Sequence, residues 1–188
     1  VGDRVAVHDG AARWEPLSGQ LLIDFEVESR GGALLFVDSA GAAQCVATGQ
    51  AREAAGDAEG AIAAHRRALA MAPGHVGALL ELGALLCEAG RCEEALALYD
   101  AALEHAADEP LLHFNGALAL EDLGMPRDAM RAYERCLELA PWLADAHFNL
   151  ARLHERAGDA QRALRHYNEY RRRERSDAAQ ADEGRAGR

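Results

Sequence analysis

The sequence predicts an all-α array of four helix hairpins behind a short β-rich leader, and two observations predict it. The first is a 34-residue period that runs without a gap. Glycines recur at Gly56, Gly90, Gly124 and Gly158, alanines at Ala61, Ala95, Ala129 and Ala163, and a ring column runs His65, Tyr99, Tyr133, Tyr167. Ile62, Leu96, Met130 and Leu164 follow the alanines in the same register. Columns in step over four units are the signature of a repeat architecture. The second observation is composition. The 188 residues are 49% apolar yet only 5% aromatic, and the alanine-rich remainder suits closely packed helices.

Each column has a physical reason. Glycine ends the first helix of each unit because it tolerates the left-handed conformation that caps a C-terminus. Asp57 and Asp159 follow it and can cap the next helix. Pro126 stands at the matching turn, where proline fits the first helical position. The alanine lets the two helices of a hairpin approach, and the ring fills the wedge between neighbouring hairpins. Pro73 and Pro141 stop the second helix, with Ala107 at the third such place. The units are 42–75, 76–109, 110–143 and 144–175. First helices cover 42–55, 76–89, 110–123 and 144–157, and second helices 59–72, 93–106, 127–140 and 161–175. Inside them the apolar spacing is helical, as in Leu79, Leu82, Leu86 and Leu96, Tyr99, Leu103.

Residues 1–38 do not follow the repeat. Val5 and Val7 alternate within Arg4–His8, Asp9-Gly10 is a turn signal, and Ala11–Glu15 can return as the partner strand. Gln20–Val27 reads as another strand, and Ala33–Val37 as a last short one after Gly31-Gly32. So few short strands need something to pack on, and the first repeat is the nearest surface. Beyond Arg175 the chain is Ser, Asp, Ala, Gln, Glu, Gly and Arg, which reads as a disordered tail over 176–188. The Arg171-Arg172-Arg173 run reads as solvation of a helix end, where it favours the negative dipole.

The strings L-L-E-L-G-A-L-L-C-E-A-G at 79–90 and E-A-L-A-L-Y-D-A-A-L at 94–103, echoed at 114–124 and 148–158, resemble the tetratricopeptide repeat (TPR) family. The resemblance spans all four units and implies a right-handed α-α superhelix whose first helices line a concave groove. It implies protein or peptide binding, and it places Leu80, Glu81, Ala84, Phe114, Asn115, Leu118, Phe148, Asn149 and Arg152 along that groove. Asn115 and Asn149 repeat in identical H-F-N contexts, and an amide side chain can hold a peptide backbone through both donor and acceptor. Some members clamp a C-terminal carboxylate with groove lysines; Leu80, Phe114 and Phe148 at those places argue against such a clamp. The first unit departs most, with Thr48 where Leu82 and Leu150 stand, and reads as the loosest.

The segment V-H-D-G-A-A-R-W-E-P-L-S-G-Q-L-L-I-D-F-E-V, residues 7–27, resembles the linker of bacterial MerR-type regulators that carry a C-terminal TPR half. That likeness implies a winged-helix DNA-binding domain ahead of it, and the chain opens on Val1. The alternative function is therefore a sensory or oligomerising half of a transcriptional regulator.

Charge and chemistry exclude other classes. A net charge of −11 argues against direct nucleic-acid binding and against docking on anionic membranes, because both need a basic face. An amphipathic, basic peptide or helix suits the surface better, and self-association is a further partner class. No apolar run is long enough for a membrane span and no signal-peptide pattern stands at the start, so a cytoplasmic address is the default. Phosphate-loop and dinucleotide glycine patterns are absent, no serine sits in a nucleophile elbow, and Glu53, Glu88, Asp122 and Glu155 read as a solvated face. The sequence therefore points to no enzyme, no cofactor and no metal. His113 and His147 are equivalent repeat positions, filling a place where the TPR pattern often has tryptophan. His147 and His154 lie two helical turns apart, too far to chelate one ion alone. Cys45, Cys87, Cys92 and Cys136 lack C-x-x-C spacing and read as reduced core side chains, with a redox pair of Cys87 and Cys92 as the sharper alternative.

Overall fold

In the computed structural model, residues 13–14, 21–22, 26–30 and 33–186 are described, with side chains from 38 through 176. Eight helices follow one another among these residues: α1 Ser39–Ala54, α2 Ala58–Met71, α3 Val76–Glu88, α4 Cys92–Leu103, α5 Pro110–Asp122, α6 Pro126–Leu139, α7 Ala144–Arg156 and α8 Ala160–Ala186. The chain divides into two compact units, Val1–Leu85 and Leu86–Arg188.

The four turn glycines take the role the sequence gives them. Gly56, Gly90, Gly124 and Gly158 all have positive φ, between 70° and 79°. In each turn the amide after the glycine returns to the carbonyl five residues earlier: Asp57 to Arg52, Arg91 to Leu86, Met125 to Leu120 and Asp159 to His154. This bond satisfies a carbonyl that the ending helix would leave orphaned. Helix starts are capped as expected at Asp57, which accepts from the Gly60 amide at 2.9 Å, and at Asp159, which accepts from Arg162 at 3.0 Å. Pro126 opens α6. Two further caps had no clear sequence signal. Glu109 accepts from the Leu111 amide, and His75 accepts at Nδ1 from the Ala78 amide at 3.1 Å.

Within Val1–Leu85, Ala42, Ala68, Ala72 and Ala78 form one buried cluster, with Cys45, Val46, Leu69 and Met71 against it. Alanine removes little apolar area from water, and stabilisation scales with that area, so the buried Ile62, Leu79, Leu82 and Leu85 of the same unit contribute more per residue. The cluster in Leu86–Arg188 is heavier: Ala117, Leu120, Ala129, Tyr133, Cys136, Ala146, Leu150 and Leu153 are buried together, flanked by Leu96, Phe114, Leu118 and Met130.

One expectation needs correction. Residues 176–186, expected as part of a disordered tail, are helical, because α8 continues to Ala186. Beside Ser176, Asp177, Asp182 and Gly184, residues 176–186 hold four alanines, Gln180, Glu183 and Arg185 and no proline, and these favour a helix once one is propagating. In the leader, two strand pairs are described. β1 Arg13–Trp14, inside the expected Ala11–Glu15 strand, pairs antiparallel with β2 Leu21–Leu22. β3 Glu26–Arg30 pairs antiparallel with β4 Ala33–Val37, in register from Glu26 opposite Val37 to Arg30 opposite Ala33. The expected strand Arg4–His8 and the packing of leader side chains on the first repeat lie outside the described residues.

Candidate functional site

Helices α5, α6 and α7 bring four polar side chains together. Tyr133 on α6 is fully buried, and its hydroxyl donates to Oε1 of Glu121 on α5 at 2.9 Å. Arg152 on α7 donates from Nη2 to Oε2 of the same carboxylate at 3.0 Å, and from Nη1 to Asn149 Oδ1 at 3.3 Å. The Glu121 side chain is only 11% exposed, against 42% for Arg152. A carboxylate so far out of water must be met by donors on both oxygens, and here it is. Burial and the Glu121 charge hold the Tyr133 hydroxyl well above the ordinary tyrosine range, so it stays a donor. The pairing repeats one unit later, where Tyr167 donates to Glu155 at 3.0 Å.

Aromatic rings border this cluster. Phe114 packs edge-on to Tyr133 with centroids 5.6 Å apart. Phe148, 37% exposed, lies 6.0 Å from the Tyr167 ring and 5.2 Å from that of Tyr170. The result is a partly open surface with one held guanidinium, one amide and aromatic edges beside it. It presents donors and apolar area, and it holds no nucleophile–base pair.

Three histidines form a second cluster. His147 Nε2 donates to the Pro141 carbonyl at 3.1 Å, so its Nδ1 accepts from His166 Nδ1 at 3.0 Å. His154 stacks on His166, with centroids 5.7 Å apart. His113 bonds the Ala107 carbonyl in the same way, at 2.8 Å. At this repeat position, therefore, each imidazole closes onto the carbonyl that ends the preceding hairpin. Burial lowers His147 below its ordinary value, and burial with the neighbouring His147 and His154 lowers His166 to about 4.

The Tetratricopeptide repeat model matches residues 53–119 and again 120–186. The chain belongs to the tetratricopeptide repeat family. Among solved structures, its fold is similar to a crystal structure of MamA at 16% identity, with a TM-score of 0.66 over 76% of this chain and 83% of that one. It is also similar to MamA 41-end from Desulfovibrio magneticus RS-1, at 22% identity and TM-score 0.63, over 72% of this chain and 76% of that one. These likenesses are of fold. No curated protein matches the chain in sequence. The matched residues begin at 53, so residues 7–27 and their likeness to MerR-type linkers lie outside them. No described helix of this TPR chain is long and apolar enough to cross a membrane.

The structure brings some of the nine groove candidates together and leaves others apart. Asn149 and Arg152 meet directly. Asn115 instead donates its amide to the Leu111 carbonyl of its own helix at 2.9 Å. Phe114 and Leu118 are half-buried and pack against the core cluster, so they support the surface from beneath. In Val1–Leu85, Glu81 accepts from Gln50 at 2.6 Å and lies 3.3 Å from the buried His65, while Leu80 is half-buried and Ala84 exposed. Sequence reasoning missed Glu121 as the acceptor for Tyr133. The signal was present, since Glu121 and Glu155 each precede a column tyrosine by the same interval. The Arg171-Arg172-Arg173 run does not sit at a helix end: Arg172 and Arg173 pair with Glu169, and Arg173 also donates twice to the Pro141 carbonyl.

The cysteines are free thiols. Burial, with the adjoining Cys92, pushes the Cys87 thiol up to about 12, and burial pushes Cys136 up to about 11. A thiol held protonated is a poor nucleophile, which weighs against the redox reading of Cys87.

Proposed function

We propose that this TPR chain is an interaction scaffold that binds a protein or peptide partner through the faces of its first helices. In Leu86–Arg188 those faces carry Phe114, Asn115, Leu118, Phe148, Asn149 and Arg152; in Val1–Leu85 they carry Leu80, Glu81 and Ala84. The observation that carries the reading is the Glu121–Tyr133–Arg152–Asn149 cluster. Arg152 is held by Glu121 and Asn149 while its side chain remains 42% exposed, on the same helix as the exposed Phe148. A pre-ordered donor next to an exposed aromatic loses little side-chain freedom on binding, and such residues dominate interface energetics. The chain's charge of −11 favours an amphipathic partner segment that carries basic residues outside its contact with Arg152.

A phage-displayed peptide library panned on the full chain tests this. The expected result is enrichment of amphipathic sequences with basic residues, whose binding falls at least about tenfold in the Phe148→Ala/Arg152→Ala variant, as for loss of central interface anchors. Equal binding to both proteins, with folding unchanged by circular dichroism, would overturn the assignment to this surface.

A further inference from the structure

Away from that polar cluster, three potential ligands converge within Leu86–Arg188. Cys87 lies in the last turn of α3, Cys92 is the first residue of α4, and Asp122 is the last residue of α5. Their two sulfurs and a carboxylate oxygen all lie within 4.8 Å of one another. Cys92 Sγ is 3.8 Å from Asp122 Oδ2. A tetrahedral zinc ion, with sulfur at about 2.3 Å and carboxylate oxygen at about 2.0–2.2 Å, sets those two atoms about 3.6 Å apart. The spacing is therefore already near the one an ion requires.

The fold explains how the three meet. Gly90, at φ 73°, reverses the chain between Cys87 and Cys92, so a C-x₄-C pair faces itself across the hairpin turn. The end of α5 packs beside α4 and adds the carboxylate. The repeat does not impose these residue types. The places equivalent to Cys92 hold Ala58, Pro126 and Ala160; those equivalent to Cys87 hold Glu53, Glu121 and Glu155; those equivalent to Asp122 hold Ala54, Glu88 and Arg156. Among the described residues, only the α3–α4 turn with the end of α5 brings two thiols and a carboxylate together.

We propose that Cys87, Cys92 and Asp122 form a binding site for a thiophilic divalent cation of the zinc class. Two sulfur donors select against magnesium and calcium, which take oxygen ligands. Cys92 is buried and Cys87 half-buried, while Asp122 is exposed, so the fourth position opens to solvent and takes water. Binding releases the two thiol protons, and the ion ties the ends of α3 and α5 to the start of α4. The site lies within one TPR hairpin junction and acts as a staple on it.

The test is a cobalt(II) titration of the reduced, metal-stripped full chain, read by absorbance. The expected result is saturation at one equivalent, with a thiolate-to-cobalt charge-transfer band and intense tetrahedral ligand-field bands. Cys87→Ser and Cys92→Ser each abolish the charge-transfer band at that equivalence. Asp122→Asn weakens binding by at least the roughly 10- to 100-fold that loss of an outer-shell partner costs. The double variant Cys45→Ser/Cys136→Ser leaves the titration unchanged. Zinc should also raise the thermal midpoint of the parent and of that double variant but not of Cys92→Ser. The proposal is overturned if the parent gives no charge-transfer band, if the band survives in Cys92→Ser, or if the pair is recovered as a disulfide under the same reducing conditions.

Discussion

His65 in Val1–Leu85 and Tyr133 in Leu86–Arg188 hold the same place in the repeat, and both are fully buried. Their surroundings differ. Tyr133 carries its own donor and delivers it to Glu121 at 2.9 Å, with Ala117 standing opposite in the preceding helix. His65 has Gly49 at the place of Ala117, and a Cβ added there would lie 2.4 Å from its Nε2. Among the described residues, neither His65 ring nitrogen makes a hydrogen bond of good geometry; Nε2 comes 3.3 Å from a Glu81 oxygen. The repeat therefore fixes where a ring goes, while the ring's chemistry decides whether the site is fully partnered. At Tyr133 the phenol completes the hairpin, and at His65 the imidazole sits directly against Gly49.

The largest expected effect breaks the stronger side. Tyr133→Ala should cost about 3–5 kcal/mol, as for other buried rings truncated to alanine, and chemical denaturation of the full chain checks it. Loss of cooperativity near Leu120, Leu150 and Leu153, which share its cluster, should accompany it. Tyr133→Phe sharpens the comparison by removing the donor alone. It should cost about 1.5–3 kcal/mol, the range for a hydrogen bond to a charged group, measured in the same way. On the weaker side, Gly49→Ala should destabilise by about 1–3 kcal/mol through overpacking against His65, although alanine is the better helix former. A stabilised variant would show that the imidazole moves aside freely.

A smaller effect concerns pH. His166 and His147 have folded values below the unfolded histidine value near 6.5, to about 4 for His166. Between about 4 and 6.5 the unfolded chain therefore binds more protons than the folded one, and stability rises with pH across that window. The contribution is complete above about pH 6.5 and declines as pH falls toward 4. Urea midpoints at several pH values should show this slope, and His166→Gln should flatten it. Smallest of all, Arg135→Ala should change stability by less than about 0.5 kcal/mol in thermal melts. Its partners Asp108 and Glu138 are themselves well exposed, and such pairs contribute little.

The fold was legible because the repeat made it so. Gly56, Asp57, Pro126 and Asp159 each announce a helix end through local backbone chemistry, and the helices begin and end close to where those residues put them. The α8 extension was not legible, because Ala, Gln, Glu and Arg suit both a solvated tail and a continuing helix. The site was half legible. Asn149 and Arg152 stand in the repeat frame, but Glu121 reads as one more surface acid until Tyr133 is folded over it. The meeting of Cys87 and Cys92 with Asp122 depends on packing between helices, which spacing along one chain does not reveal.

The most direct test of the central contrast is native-state hydrogen exchange of the full chain, comparing α6 around Tyr133 with α2 around His65. The α6 amides should open with the larger free energy, and Tyr133→Phe should narrow the gap. Equal protection in the two helices, or a gap that Tyr133→Phe leaves unchanged, would contradict that contrast.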